Sequence, residues 1–324
     1  REALEIEREL EDVAGQAAAL NTLGVLNYVR GDYDEARAPL LRAVELYQQV
    51  DDLEGDAWST MYLGMIDFMT GRYSDAARRH QEALYMARER KDWFQEGIHL
   101  TNAARVALRM GKYDQALAQF QHALEMKTRG GDRMGQGFTL FGTGMAHLHL
   151  GDYEEAEAAL QRSLELRQEI GDERGISYSL YGLGRLALCR ERWDQAREYI
   201  QQAHEIHTRL GLKAEIIADL SHLGQAYLGQ HLPRKALEVS QEAIDLLVEQ
   251  EDVGEEQEVY LNHYHVLAAL DDPAAADFLR QAHGAMMKRA NLITDEGERQ
   301  IFLERSRFNR EIQGLWEGNK ALKR

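Results

Sequence analysis

The side chains that could do chemistry in this sequence are a few histidines, one cysteine, and a set of arginines mixed with aromatics and methionines. His204 and His207 stand three apart in His204-Glu205-Ile206-His207, a spacing that puts both rings on one helix face and could chelate a metal. Their neighbours are glutamine, alanine and threonine, so the segment reads as a solvated helix face and not as a metal site. The pairs His147/His149 and His263/His265 are spaced by two, which sends the rings to different faces of a helix. Cys189 has no activating neighbour and reads as filler; being alone, it forms no intramolecular disulfide and fits a reducing, cytoplasmic compartment. Neither the GxxxxGK[ST] phosphate loop nor the HExxH zinc pair occurs. The 55 Asp and Glu residues are what exposed helices carry at this composition. The expectation is a non-catalytic chain without metal or cofactor.

The elements that position these residues repeat. Gly31-Asp32-Tyr33, Gly71-Arg72-Tyr73, Gly111-Lys112-Tyr113 and Gly151-Asp152-Tyr153 recur every 40 residues, and Glu191-Arg192-Trp193 keeps the aromatic. An alanine follows each aromatic by three, at Ala36, Ala76, Ala116, Ala156 and Ala196, and again at Ala236 after Pro233. A fixed period of this length marks a solenoid of stacked helical units. The glycine ends one helix in a left-handed conformation. The next polar residue starts a second helix, and Asp32 with Glu35, like Asp152 with Glu155, has capping-box spacing. The aromatic plugs the corner between the two helices. Ala36 and Ala43, Ala76 and Ala83, Ala116 and Ala123 then form a small face that lets a neighbouring helix come close. Pro39 inside such a helix predicts a local kink.

The first helix of each unit repeats too, with Leu23-Gly24, Leu63-Gly64, Thr143-Gly144, Leu183-Gly184 and Leu223-Gly224 in one slot. Small residue, leucine, corner aromatic and paired alanines together resemble the tetratricopeptide repeat, in the 40-residue version similar to kinesin light chains, spindle-orientation adaptors and the C-terminal arrays of bacterial signal-transduction ATPases and transcription activators. The resemblance implies an all-α, right-handed superhelical solenoid of about seven helix pairs. It also implies that the first helix of each pair lines a concave binding surface.

Carried onto this sequence, that surface includes Trp58, Met61, Met65 and Phe68; Asn102, Arg105 and Arg109; Phe138, Phe141 and Met145; and Tyr178, Tyr181 and Arg185. Aromatics beside arginine in an acidic protein have the composition of a recognition surface, and the methionines form an adaptable stripe. Arg105, Arg109 and Arg185 offer planar donor forks to carboxylates, which suits an apolar segment with interspersed acids. On this reading Arg105→Glu with Arg185→Glu leaves the fold intact and weakens the partner, and Arg42→Glu on the outer face is the control.

At 324 residues, 44% hydrophobic and 29% charged, the chain is ordinary for a globular protein, and no run approaches a membrane span. Its net charge of −17 argues against nucleic-acid and anionic-membrane partners. Residues 1–14 read as the tail of a truncated preceding repeat, 15–292 as the array and 293–324 as a C-terminal helical cap and tail. In the cap, Phe302, Leu303, Ile312, Leu315 and Trp316 form the apolar set, expected to cover the open face of the last repeat. Pro273 opens a seventh copy with a one-residue slip. The 30 arginines against 8 lysines lean towards a bacterial multidomain regulator. Two functions fit: a scaffold gripping a protein or peptide, or another domain of the parent chain, and a ligand-sensing domain controlling an upstream ATPase.

Overall fold

The computed structural model describes residues 12–250 and 254–322, and among them are sixteen α-helices and no strand. They pair as α1 (Val13–Arg30) with α2 (Tyr33–Gln49), α3 (Leu53–Met69) with α4 (Tyr73–Glu89), and α5 (Trp93–Arg109) with α6 (Tyr113–Arg129). Next come α7 (Arg133–Leu150) with α8 (Tyr153–Ile170), α9 (Glu173–Cys189) with α10 (Trp193–Leu210), and α11 (Lys213–Gly229) with α12 (Pro233–Val248). The seventh pair is α13 (Glu256–Ala269) with α14 (Ala275–Ala290), and α15 (Glu296–Arg305) and α16 (Arg307–Leu322) close the chain. Residues 1–11, which hold most of the proposed partial repeat, and the joint Glu251-Asp252 lie outside the described residues.

The turn geometry follows the repeat. Gly31 and Gly151 sit at φ of +86° and +87°, and their N–H groups bond back into the helix they end. Where the glycine is missing the geometry persists, with Glu191 at φ +56° and His231 at +58°, so packing holds a left-handed turn that these residues adopt only at a cost. The alanines behave as their spacing requires: Ala36, Ala43, Ala76, Ala83, Ala116, Ala123, Ala156, Ala196, Ala236 and Ala243 are fully buried. In the seventh pair Leu279 and Ala282 are likewise buried. Helix α2 runs unbroken through Pro39.

The helix caps fall on the other turn. Asp32 and Asp152 make no side-chain cap bond, and Asp152 instead lies 3.2 Å from His147 Nδ1. Their ψ values are 66° and 71°. Capping aspartates open the first helix of the first five pairs, at ψ of 81–96° for α1, α3, α7 and α9, whereas α11 and α13 start without a side-chain cap. Asp12 accepts from Gly15 N at 2.9 Å, Asp52 from Gly55 N at 3.0 Å, Asp132 from Gly135 N at 2.8 Å and Asp172 from Gly175 N at 2.9 Å. Asp132→Ala should therefore lower stability by about 1 kcal/mol, read as a fall in urea midpoint, whereas Asp32→Ala should be nearly silent. Equal losses from the two variants would contradict this placement of the caps.

The chain divides into two compact units, Arg1–Arg109 with Ala118–Gly131, and Met110–Leu117 with Asp132–Arg324. In the first, Leu40, Leu63 and Ile66 pack with Val25, Tyr28 and Tyr33. The same unit buries Asp67 completely, where it accepts from Arg72 Nε at 3.0 Å, Arg79 Nε at 2.9 Å and Arg37. In the second unit Ile217, Leu220, Ile244, Leu247 and Val259 form a core cluster. Outside the cores, ion pairs 36 residues apart join the start of one helix to the end of the next, as in Arg90–Glu54 at 2.7 Å and Arg190–Glu154 at 2.9 Å. Partly exposed pairs of this kind contribute little individually.

Candidate functional site

In the first unit, α3 and α5 bring together Met65, Phe68, Asn102 and Arg105 from the expected surface, along with Tyr28, Met69 and His80, around a recess of about 10 Å³. That volume admits roughly one water. The Arg105 guanidinium lies 4.8 Å above the Phe68 ring and Arg109 lies 6.0 Å from it, so this arginine pair covers an aromatic face. Trp58 is half-buried, and Met61 is buried and belongs to the packing. The helix periodicity gave no sign of His80, which comes from α4. Burial, with His99 and Arg105 nearby, pulls its pKa down to about 3, which keeps the imidazole neutral.

In the second unit Phe138, Phe141 and Tyr178 converge, on a residue absent from the expected set. Arg167 of α8 is buried, with its guanidinium 5.9 Å from the Phe138 ring and 5.8 Å from Phe141, and it donates to the Gly175 carbonyl and to Ser179 Oγ. Burial lowers its pKa to about 10, which still leaves it charged at neutral pH. Its one sequence signal is glycine opposite: a Cβ on Gly137 would stand 3.0 Å from Arg167 Cγ, and one on Gly175 would stand 2.7 Å from Arg167 Cδ. Tyr178 bonds Glu215, and burial pushes its phenol up to about 12.

The His204–His207 segment is not a solvated face. His207 is buried with Nδ1 2.7 Å from Asp219 Oδ2, and half-buried His204 reaches the same oxygen at 3.5 Å. Asp219 is fully buried on α11, so the spacing of three aims both rings at one internal carboxylate. Among the described residues no cluster of three or more His, Cys, Asp and Glu could hold a metal. The bond to Asp219 raises the His204 pKa against the opposing effect of burial. A raised folded pKa stabilises fully below about 6.5, the unfolded value, and that contribution is lost as pH rises through the folded value. The stability gap between wild type and His204→Gln should therefore be widest below pH ~6.5 and close on the alkaline side. A gap independent of pH would sink the assignment.

Arg185 and Tyr181 meet a different environment from the expected open groove. Arg185 is 7% exposed and donates through Nη2 to Glu258 Oε1 at 3.2 Å, and the same oxygen accepts from His222 Nε2 at 2.8 Å. Burial pulls the Arg185 pKa down, Glu258 more than offsets it, and the net shift is upward. Burial alone would raise Glu258, but Arg185 and His222 hold it well below the usual carboxylate range. Tyr181 lies 3.2 Å from His222 Nδ1 through its hydroxyl. Arg185 is thus engaged internally, and Met145 is buried as well.

The C-terminal helices do more than cover the last pair. Trp316 stacks on His283 of α14 at 4.6 Å, and Ile312 is fully buried. But α15 and α16 also reach the start of α6 and the helices α9 and α13. Glu298 accepts from Lys112, Arg305 pairs with Asp114 at 3.4 Å, and the Tyr113 hydroxyl donates to the Arg305 carbonyl at 3.5 Å. Gly111, at φ +76°, leaves little room for a side chain, since a Cβ there would stand 3.2 Å from the Ile301 carbonyl oxygen. Further along, the Arg185 guanidinium lies 5.6 Å from the Phe308 ring, and Glu311 accepts from His265 Nε2 at 2.9 Å.

Between this strap and the first helices of the second unit is a chamber of about 820 Å³. Its walls include Tyr113 stacked on His149 at 5.0 Å with rings 2° from parallel, together with Tyr153, Trp193, Leu228, Phe308, Cys189 and four arginines. The volume falls in the range of small-ligand sites, roughly 300–1,000 Å³.

A family model for the tetratricopeptide repeat matches residues 15–89, 95–169 and 175–247, and a second matches 142–206. The chain belongs to the tetratricopeptide repeat family. No curated protein matches it. Among solved structures it is similar to a Rap protein complexed with competence and sporulation factor, at 15% identity and a TM-score of 0.63 over 98% of this chain and 100% of that one. The apo form of the quorum sensor NprR from B. thuringiensis matches at 13% identity and a TM-score of 0.62, over 96% and 91% of the two chains. A signal transduction ATPase with numerous domains and a tetratricopeptide repeat sensor, from Pyrococcus horikoshii, matches at 18% identity and a TM-score of 0.59, over 93% of this chain and 46% of that one. At these identities the likeness shows the fold. Among the described residues no helix is long and apolar enough to cross a membrane.

Proposed function

We propose that this tetratricopeptide array is a non-catalytic sensing domain that receives a short peptide or small ligand in the chamber of its second unit. The observation that carries this reading is the chamber itself: about 820 Å³, aromatic-walled, and closed on one side by helices of the same chain. A ligand touching both the array and the strap changes the energy of holding them together, which is how a binding event becomes a conformational signal. Two similar structures, NprR and the Pyrococcus horikoshii ATPase, are described as a quorum sensor and as bearing a repeat sensor. By analogy of fold, the array would report to other domains of a multidomain bacterial regulator in the cytoplasm. Residues 15–292 would form the receiving array and 293–324 its closing segment. The net charge of −17 supports a peptide or small-molecule partner over nucleic acid or an anionic membrane.

The first unit supports a second role. Phe68 with Arg105 and Arg109, beside Met65 and Asn102, suits a partner segment carrying acids among apolar residues.

Screening the chain by thermal shift against peptide and metabolite panels tests the sensing reading. A ligand at a hundred times its Kd should add about 2.7 kcal/mol of stability. The shift should vanish in Leu228→Trp, which fills the chamber from one wall. Hits indifferent to Leu228→Trp, or a panel without hits, would count against the chamber.

A further inference from the structure

We propose that the chamber selects an anionic ligand, a short molecule with a carboxylate or comparable oxyanion on an apolar body, and that Arg307 and Arg310 of the strap receive the charge. The inference rests on the chamber reading above and adds the ligand's chemistry and the residues that choose it.

The chamber's wall carries four arginines, Arg185, Arg305, Arg307 and Arg310, against two carboxylates, Glu304 and Glu311. Their partners are unequal. Arg185 is neutralised by Glu258, Arg305 lies 3.4 Å from Asp114, and Glu311 is engaged by His265 at 2.9 Å. Glu304 accepts from Gln300 at 2.8 Å. Among the described residues, Arg307 makes one polar side-chain contact, to the Cys189 thiol at 3.3 Å, and Arg310 makes no ion pair. A thiol sulfur is a weak acceptor, and although the Arg307 charge helps hold Glu311 ionised, neither guanidinium on the chamber wall hydrogen-bonds a carboxylate. The spacing of three along α16 puts them on one side of that helix.

The formal charges around the chamber balance, with Glu258 and Asp114 offsetting Arg185 and Arg305 and with Glu304 and Glu311 against the other two, but Arg307 and Arg310 point donors into it that no carboxylate takes up by a hydrogen bond. Elsewhere the arginines that reach solvent often lie against Glu or Asp, as Arg78, Arg88 and Arg133 do. A cationic ligand would meet the arginines directly, and a neutral one would leave their donors unused. An anion satisfies them, and because they belong to the strap it also ties the strap to the inner wall. The stacked Tyr113–His149 pair, Trp193 and Phe308 supply flat apolar area for the ligand's body.

The test uses the full chain and a matched pair of probes. One is an acetylated tripeptide of leucine, glutamate and phenylalanine with a free C-terminus; the other is its uncharged isostere with glutamine and an amidated C-terminus. Binding is followed by calorimetry, and the strap by hydrogen exchange over residues 296–318. The acid should bind at least about tenfold more tightly than the isostere and slow exchange in the strap. The preference should collapse in the double variant Arg307→Gln/Arg310→Gln, whose side chains are solvent-exposed and outside the core, and should survive in Arg42→Gln. Equal binding of both probes at the chamber would overturn the anion assignment while leaving the chamber as a binding site. A preference that survives the double variant, or no binding of either probe at millimolar concentration, would also overturn it.

Discussion

Arg185→Glu should unfold the second unit, with a loss of about 3–5 kcal/mol, the usual consequence of removing one partner from a buried ion pair. Sequence reasoning alone expects this variant to keep its fold, because it places Arg185 on an open groove. The structure reverses the expectation. Glu258 is 4% exposed and its Oε1 accepts from both Arg185 and His222. Reversing the arginine would set two carboxylates against each other out of water, with the imidazoles of His222 and His149 as the remaining nearby groups. Arg105→Glu is the internal contrast: Arg105 is half-buried over the Phe68 ring, so its reversal sacrifices a cation–π contact and should cost well under half as much. Urea unfolding followed by circular dichroism separates the two. An Arg185→Glu variant within about 1 kcal/mol of wild type would show that Glu258 finds another cation or water. Acid adds a second readout. The Glu258 pKa is depressed in the folded state, so the pair's stabilisation is present above about pH 4.5 and lost as pH falls through the folded value. Glu258→Gln should remove that acid sensitivity.

What was legible in the sequence was whatever the chain repeats locally. Ala156 and Leu160 are buried one turn apart on α8, and Gly151 turns left-handed where the spacing demands a stop. The caps show how a local signal can be read on the wrong turn. Asp32–Glu35 has the pattern of a capping box, yet the bonds at the first helices form at Asp12, Asp52, Asp132 and Asp172, each followed three residues later by a glycine, and at Asp92, followed by Gln95. A backbone N–H donates to a capping oxygen whether or not its residue bears a side chain, and the box pattern overlooks that. The chamber was not legible because its contacts are distant along the chain. Lys112 and Glu298 are 186 residues apart, and Arg185 and Glu258 are 73 apart. No periodicity connects such pairs. The inner-face set still located Arg185 and Tyr181 beside the chamber, but not the strap that closes it. Arg167 was missed because it lies on a second helix, where a long cation normally points to solvent.

The small slot at Gly184 gives the other large effect, and its sign separates two accounts of why glycine is there. Helix propensity alone favours replacing it: glycine is among the poorest residues for a helix interior, and valine should gain a few tenths of a kcal/mol. Packing says the opposite. A Cβ at position 184 would stand 2.5 Å from Ile200 Cγ1 and 3.4 Å from the Ile200 backbone nitrogen. Cγ1 is one bond from the Ile200 Cβ, so no rotation at the tip of the side chain clears it, and α10 itself must move. Ile200 is fully buried, which leaves nowhere for the displaced atoms to go. Gly184→Val should therefore cost about 2–3 kcal/mol, at the upper end of typical overpacking. Ile200→Ala should cost about 2–5 kcal/mol through the cavity it leaves. Together the two should cost at least about 1 kcal/mol less than their sum, because the added methyl groups occupy the vacated space. Urea midpoints of the three variants decide between the accounts. A stabilised Gly184→Val would make the glycine a tolerated weakness of the helix, and strict additivity in the pair would mean that the two residues do not share the space between α9 and α10.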